Sequence, residues 1–204
     1  MERARRGCAA RALQFLFWAM SATQEYTAEQ LERAAKIKLI LMDCDGVLTD
    51  GRIYFVPAPD GTVSETKPFD CHDGIALKWA RENDIVTGII SGRGGLAVQE
   101  RARSAQMKYL FEGNTEKLPL LEHVVEDSGV SLEQIAYIGD DITDLPLLTR
   151  VGLSAAPTNA RAEVLARVHF KIPAAGGGGA VREVIELILK AQGRWDAVLA
   201  HYDV

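Results

Sequence analysis

Leu39-Ile-Leu-Met-Asp-Cys-Asp-Gly-Val-Leu-Thr-Asp50 is the stretch on which the fold turns. An apolar run ends abruptly in two carboxylates, Asp43 and Asp45, followed by Gly46. A continuous run of this kind suits a strand buried on both faces, as in a parallel sheet. Residues two apart on a strand share a face, so both acids point the same way where the strand stops. Two like charges that close repel each other, and folding alone does not call for them. A bound cation, a reacting electrophile, or both would explain them.

Outward from this stretch the chain alternates. Further apolar runs at 85–90, 135–138, 152–155 and 168–172 read as strands. Between them, helical patterns fall at 28–36, 74–82, 95–104, 115–127, 144–150, 159–167 and 180–191. Pro119 falls in the first turn of its helix, where a missing N–H is tolerated. Ser131-Leu-Glu-Gln134 has the spacing of a capping box before the third strand. Alternation of this kind predicts an α/β fold with a doubly wound parallel sheet. One segment breaks the rhythm. Residues 51–70 read as a β-hairpin, with strand-like stretches at 54–56 and 62–66 and turn chemistry at Pro59-Asp60-Gly61. A lone hairpin is marginally stable, so it is expected to pack on its own sheet or on a partner subunit.

The balance of 23 Lys and Arg against 28 Asp and Glu gives a net charge of −5. That argues against wholesale binding to nucleic acid or to an anionic membrane. The cysteines, Cys8, Cys44 and Cys71, are scattered, odd in number and without metal-ligand spacing. They fit a reducing, cytoplasmic setting. At the N-terminus, Arg3, Arg5, Arg6 and Arg11 precede a short apolar run to Met20. This is either a targeting segment or an upstream extension before a start at Met20, and it is too short to span a membrane.

The polar residues collect at the strand ends. The first strand ends at Asp43 and Asp45, the second in Ser91-Gly92-Arg93, the third in Gly139-Asp140-Asp141 with Asp144 beyond. Open parallel sheets bind ligands outside the carboxyl ends of their strands, which brings these groups to one cleft. Oxygen ligands without His or Cys point to Mg²⁺ rather than zinc. The glycines let backbone N–H groups approach an anion. Metal, hydroxyl, N–H donors and a cation together suit phosphoryl transfer.

Asp43-Cys-Asp45-Gly-Val-Leu-Thr, Ser91-Gly-Arg, Lys117 and Gly139-Asp-Asp-Ile-Thr-Asp144 resemble the four ordered motifs of the haloacid dehalogenase superfamily. Asp50-Gly-Arg-Ile-Tyr54, Phe69-Asp-Cys-His-Asp-Gly74, Gly113-Asn-Thr-Glu-Lys117, Asp144-Leu-Pro146 and Gly176-Gly-Gly-Gly-Ala-Val-Arg-Glu183 resemble the 3-deoxy-D-manno-octulosonate 8-phosphate phosphatase family. The resemblance runs from about Lys36 to Gln192. It implies a Rossmann-like core of haloacid dehalogenase type, with the β-hairpin in place of a large cap. The chain then divides into an N-terminal extension and short helix (1–35), a catalytic domain (36–192) and a C-terminal tail (193–204).

The resemblance also implies roles. Asp43 would be the nucleophile forming an aspartyl-phosphate, and Asp45 the general acid and then base, its pKa shifted towards neutrality by acidic neighbours. Mg²⁺ would be held by Asp43, the Asp45 carbonyl and Asp140, with Asp144 behind the ligands and Asp141 in either shell. Ser91 would donate to a phosphoryl oxygen, and Lys117 would pair with phosphate and with Asp43. Substrate contacts would come from the loop Asp70, Cys71, His72, Asp73, Gly74, and from Lys78 pointing back over the cleft. Arg93 and Arg101 would lie within reach of the same side.

The implied substrate is a sugar-acid phosphate of eight carbons, used in lipopolysaccharide precursor synthesis, or alternatively a nine-carbon, sialic-acid-like one. The implied assembly is a homotetramer whose hairpins form a shared barrel, with the glycine-hinged stretch 176–204 closing a neighbour's site or packing on its own domain. Asp70, Asn114 and Gly178 depart from the family's usual residues, which weakens the claim to one particular sugar acid. A phosphorelay receiver domain fits the motif order poorly. A non-catalytic oligomerisation module fits the intact Asp43 and Asp45 poorly.

Overall fold

The computed structural model describes residues 26–203, so the readings of residues 1–19 lie outside it. After helix α1 (Ala28–Ala35) comes strand β1 (Leu39–Met42), then the hairpin strands β2 (Tyr54–Pro57) and β3 (Val63–Thr66). Helix α2 (Cys71–Glu82), β4 (Val86–Ile90), α3 (Leu96–Ser104), β5 (Tyr109–Phe111) and α4 (Leu118–Ser128) follow. Then come β6 (Ile135–Ile138), α5 (Leu145–Leu148), β7 (Leu153–Ala156), α6 (Ala162–Leu165), β8 (Phe170–Lys171), α7 (Ala180–Ala191) and α8 (Trp195–Ala200).

Six strands form one parallel sheet in the order β5-β4-β1-β6-β7-β8. The chain builds outward from β1 on one side, then crosses back to build on the other. That switch of direction flanks β1 with β4 and β6. Met42 is level with both Ile89 and Ile138, so the three strands end together. Alternate residues of β1 feed two different cores, as the two-residue strand period requires. Ile40 and Met42 pack with α2 and α7, and Leu39 and Leu41 with α4 and α5. Burial on both faces is why the run in β1 has no polar interruption.

Several boundaries differ from the sequence reading. Helix α2 begins at Cys71, three residues early, because Asp70 caps it by accepting from the His72 N–H at 2.6 Å. Residues 71–74 are therefore a helical first turn and not a loop. Strand β5 escaped notice because three residues are too few to show a period. The expected helices at 144–150 and 159–167 shrink to the four residues each of α5 and α6. The Ser131 and Gln134 capping box forms, around a 3₁₀ turn at Leu132–Gln134.

The hairpin makes its own two-stranded antiparallel sheet, with Phe55 at 64% and Val63 at 61% exposure. The described part of the tail, 193–203, docks on its own domain. Trp195 meets Trp79 edge to face at 5.5 Å, and the Trp79 Nε1–H donates to the Tyr202 hydroxyl at 3.2 Å. Truncating Trp195 to Ala should therefore cost about 2 kcal/mol of stability. Urea unfolding checks this; an unchanged midpoint would remove the tail from the domain's own core.

Candidate active site

The level ends of β1, β4 and β6 deliver Asp43, Ser91 and Asp140 to one edge of the sheet. Asp43 is fixed at its backbone, where its N–H donates to the Ile138 carbonyl at 2.9 Å. Its side chain is nearly buried, and Oδ1 accepts from the Cys44 N–H at 2.7 Å and lies 3.1 Å from the Lys117 Nζ. Both contacts use Oδ1, which leaves Oδ2 for an incoming group among the described residues. Gly46 is required beside it. Its φ is +91°, and a Cβ there would lie 2.2 Å from Asp140 Oδ2.

Asp144 is fully buried and fully used. Its Oδ1 accepts from Lys117 Nζ and from the Tyr137 hydroxyl, each at 2.7 Å. Its Oδ2 accepts from the Asp140 and Asp141 N–H groups at 3.0 and 3.1 Å. Asp144 therefore ties Lys117 to the turn that carries Asp140 and Asp141. Burial works against the Lys117 ammonium, but the Asp43 and Asp144 carboxylates outweigh it and hold its pKa above the usual lysine value. Burial pushes Asp43 up to about 6, with Lys117 opposing and Asp144 adding to the rise. Burial, then repulsion from Asp43 and Asp144, pushes Asp140 up to about 7.

Oxygens of Asp43, Asp140 and Asp144 lie within 4.8 Å of one another. Asp144 has no oxygen to spare, whereas Asp140 Oδ1 is buried with no hydrogen-bond partner. An orphaned buried carboxylate oxygen beside a second carboxylate fits a hard cation. Asp43 and Asp140 are the side chains to hold it, and Asp141, exposed at the rim, caps the 3₁₀ turn at Ile142–Asp144.

The cleft has a volume of about 310 Å³. Besides Asp43 and Asp140 it is lined by Asp45, Ser91, Arg93, Lys117 and Asp141, and also by Thr115 and Thr143. The neighbour of Asp45 is a cation, contrary to the acidic surroundings expected for it. Lys67, at the end of the hairpin, is buried with its Nζ 2.8 Å from Asp45 Oδ1 and 2.9 Å from Oδ2, and 3.5 Å from Glu65. Glu65 in turn receives Arg93 at 2.8 Å.

The remaining substrate candidates are not among the residues that line this cleft. Lys78 points down its helix to Glu82 at 2.6 Å, because the salt bridge lies one turn onward, away from the sheet edge. Arg101 stacks over Phe69 at 5.4 Å and donates to the Asp70 carbonyl at 3.2 Å, so it braces the start of α2. Gly74 allows that approach, since a Cβ there would meet Arg101 Nη1 at 3.0 Å. Asp73 is fully buried and accepts the Arg182 N–H at 2.8 Å, supplying a cap that Gly179 cannot give α7. Burial pushes its pKa up to about 6. Cys71 and His72 are exposed on the first turn of α2, with Asp70 as its cap.

Lys67 and Tyr137 were not found in the sequence. A lysine after a hairpin strand and a tyrosine inside an apolar strand carry no local signal; only the folded contacts reveal them.

A parallel sheet with acids at adjoining strand ends, a buried lysine against the first of them and a cation-ready pair defines a haloacid dehalogenase-like hydrolase. The family model of that description matches residues 102–185. The chain is 36% identical over 170 residues to the 3-deoxy-D-manno-octulosonate 8-phosphate phosphatase of Escherichia coli K12, covering 83% of this chain and 88% of that one. A probable phosphatase of the yrbi family from Pseudomonas syringae superposes with a TM-score of 0.83 at 42% identity, over 87% of this chain and 99% of that one. The Moraxella catarrhalis 3-deoxy-D-manno-octulosonate 8-phosphate phosphatase, solved with magnesium, phosphate and KDO, gives 0.81 at 37% identity, over 87% and 99%. The chain belongs to the 3-deoxy-D-manno-octulosonate 8-phosphate phosphatase family, and it is a phosphoric monoester hydrolase.

The raised carboxyl pKa values give a signed prediction. A folded state that holds protons the unfolded chain has released loses stability as pH rises, here from about 4 to about 7. A cation that binds the ionised pair restores it. The rise in Tm on adding Mg²⁺ to chelator-treated protein should be larger at about pH 7.5 than at about pH 5. In Asp140→Asn most of that rise should vanish. An equal Mg²⁺ response at both pH values would count against the pair as the binding site.

Proposed function

We propose that this enzyme hydrolyses 3-deoxy-D-manno-octulosonate 8-phosphate to the free sugar acid and phosphate, with Mg²⁺, through an aspartyl-phosphate on Asp43. The observation that carries the chemistry is the Asp43 carboxylate, held at Oδ1 by Lys117 and the Cys44 N–H and left open at Oδ2 towards the cleft. The curated and structural relatives support the substrate: the Moraxella protein was solved with magnesium, phosphate and the sugar acid together.

Asp43 Oδ2 attacks phosphorus, the bond from phosphorus to the sugar oxygen breaks, and that oxygen takes the proton of Asp45. Water then attacks the acyl phosphate, giving its proton back to Asp45 and freeing the Asp43 carboxylate with orthophosphate. Ser91 and Lys117 donate to the phosphoryl oxygens, and both are held rigidly by burial. When bound by Asp43, Asp140 and the Asp45 carbonyl, Mg²⁺ supplies charge that offsets repulsion between phosphate and carboxylates. Arg93, which lines the cleft and pairs with Glu65, is the cation at the rim that would meet the sugar acid. The setting is the cytoplasm and lipopolysaccharide precursor synthesis; the free thiols of Cys44 and Cys71 suit a reducing compartment. Among the described residues no helix is long and apolar enough to cross a membrane.

The hairpin supports the proposed assembly. Phe55, Val56, Val63 and Tyr54 stand exposed on a sheet too small to be stable alone, which supports burial against other copies in a homotetramer.

A phosphate-release screen over eight- and nine-carbon sugar-acid phosphates tests the activity. The eight-carbon ester should be preferred, and Asp43→Asn should lose about 10³-fold or more in kcat. Retained turnover in Asp43→Asn would sink the nucleophile assignment. In sedimentation velocity the wild type should run as a tetramer and Phe55→Lys with Val63→Lys as smaller species. A tetramer that survives both changes would move the interface off the hairpin.

A further inference from the structure

The first two residues of the glycine run 176–179 are pressed against the loop that carries Asp45, so that end of the run is packed and is not the flexible hinge its composition suggests. A Cβ on Gly176 would lie 1.9 Å from the Gly46 carbonyl oxygen and 2.8 Å from that of Thr49. Asn159, in the turn after β7, bridges the two segments. Its Nδ2 donates to the Gly46 carbonyl at 2.9 Å, and its Oδ1 accepts from the Gly176 N–H at 2.7 Å. The next N–H, of Gly177, donates to the Val47 carbonyl at 3.0 Å. Two successive carbonyls of the catalytic loop are thus held from outside it. Within the loop, Gly46 is restrained by Thr49 Oγ1, which accepts its N–H at 3.4 Å. At a φ of +91° and with no side chain, Gly46 has the widest freedom to swing the peptide that follows Asp45.

We propose that Asn159 and Gly176 are positioning residues: by fixing the Gly46 peptide they set where the Asp45 carboxyl meets the leaving oxygen. The inference rests on the reading of Asp45 as general acid. Neither residue is asked to touch substrate. At saturating Mg²⁺ the consequence that separates substrates lies in the first chemical step, where the leaving oxygen is protonated. In that step a displaced Asp45 slows esters whose alkoxide must be protonated as it leaves and spares esters whose aryloxide leaves unaided, while its later work as base on the acyl phosphate is common to both. Attack by Asp43 is common to both.

The test compares 3-deoxy-D-manno-octulosonate 8-phosphate with p-nitrophenyl phosphate at saturating Mg²⁺, in Asn159→Ala, Gly176→Ala and Asp45→Ala. Asn159 is exposed, so losing its two hydrogen bonds should lower the thermal midpoint by only a few degrees and leave the protein folded; Gly176→Ala is the harsher variant. In Asn159→Ala the sugar ester should lose about tenfold in kcat/KM, which reports formation of the aspartyl-phosphate, and the aryl ester about twofold or less. Asp45→Ala should show the same separation in stronger form. If Asp45→Ala separates the esters but Asn159→Ala slows both equally, or neither, the positioning role is overturned alone. If Asp45→Ala fails to separate them, the general-acid reading falls and takes this role with it.

Discussion

Asp43, Asp140 and Asp144 crowd the end of the sheet, and Lys117 is the ammonium that touches two of them. Everything else at this edge answers the cost of that crowding. Asp144 is neutralised by four donors and becomes a strut. Asp43 keeps one oxygen tied and one open. Asp140 is left with a buried, unpartnered oxygen and a strongly raised pKa, the signature of a place meant for a further positive charge. Unpaired buried carboxylates are expensive, so this arrangement costs stability by itself, and a cation held there would offset that cost.

The sheet order makes the crowding possible. Because β1 lies between β4 and β6 and all three end level, their first residues beyond the strand meet without long loops. That much was legible in the sequence. Apolar runs ending in Asp43, Ser91 and Gly139-Asp140 announce both the strands and their shared edge. What stayed hidden depends on distance in three dimensions. Lys67 reaches Asp45 from the hairpin, Tyr137 reaches Asp144 from inside a buried strand, and Asn159 reaches Gly46 across 113 residues. None has a period or spacing to betray it. Asp70 is a different case. Its capping role has a sequence signature, but its place beside the cleft motifs invited a binding role instead.

The hairpin and the glycine run each carry two duties. The hairpin exposes apolar surface on its strands and at its end buries Lys67 against Asp45. The glycine run starts α7 and also closes on the catalytic loop, while Asp73 of α2 caps that same helix. The residues first associated with substrate, Asp73 and Arg101, thereby hold the scaffold that holds the site. Charge buried next to a catalytic loop is as often a brace as a contact, and only the partner atom tells them apart.

The most direct measurement is rapid acid quenching of the Mg²⁺-loaded enzyme during its first turnover, followed by peptide mass analysis. A phosphoryl group on Asp43, absent in Asp43→Asn, is the expected result. Phosphate released in that first turnover with no phosphoryl group on Asp43 at any quench time would contradict nucleophilic attack by the carboxylate that Lys117 holds.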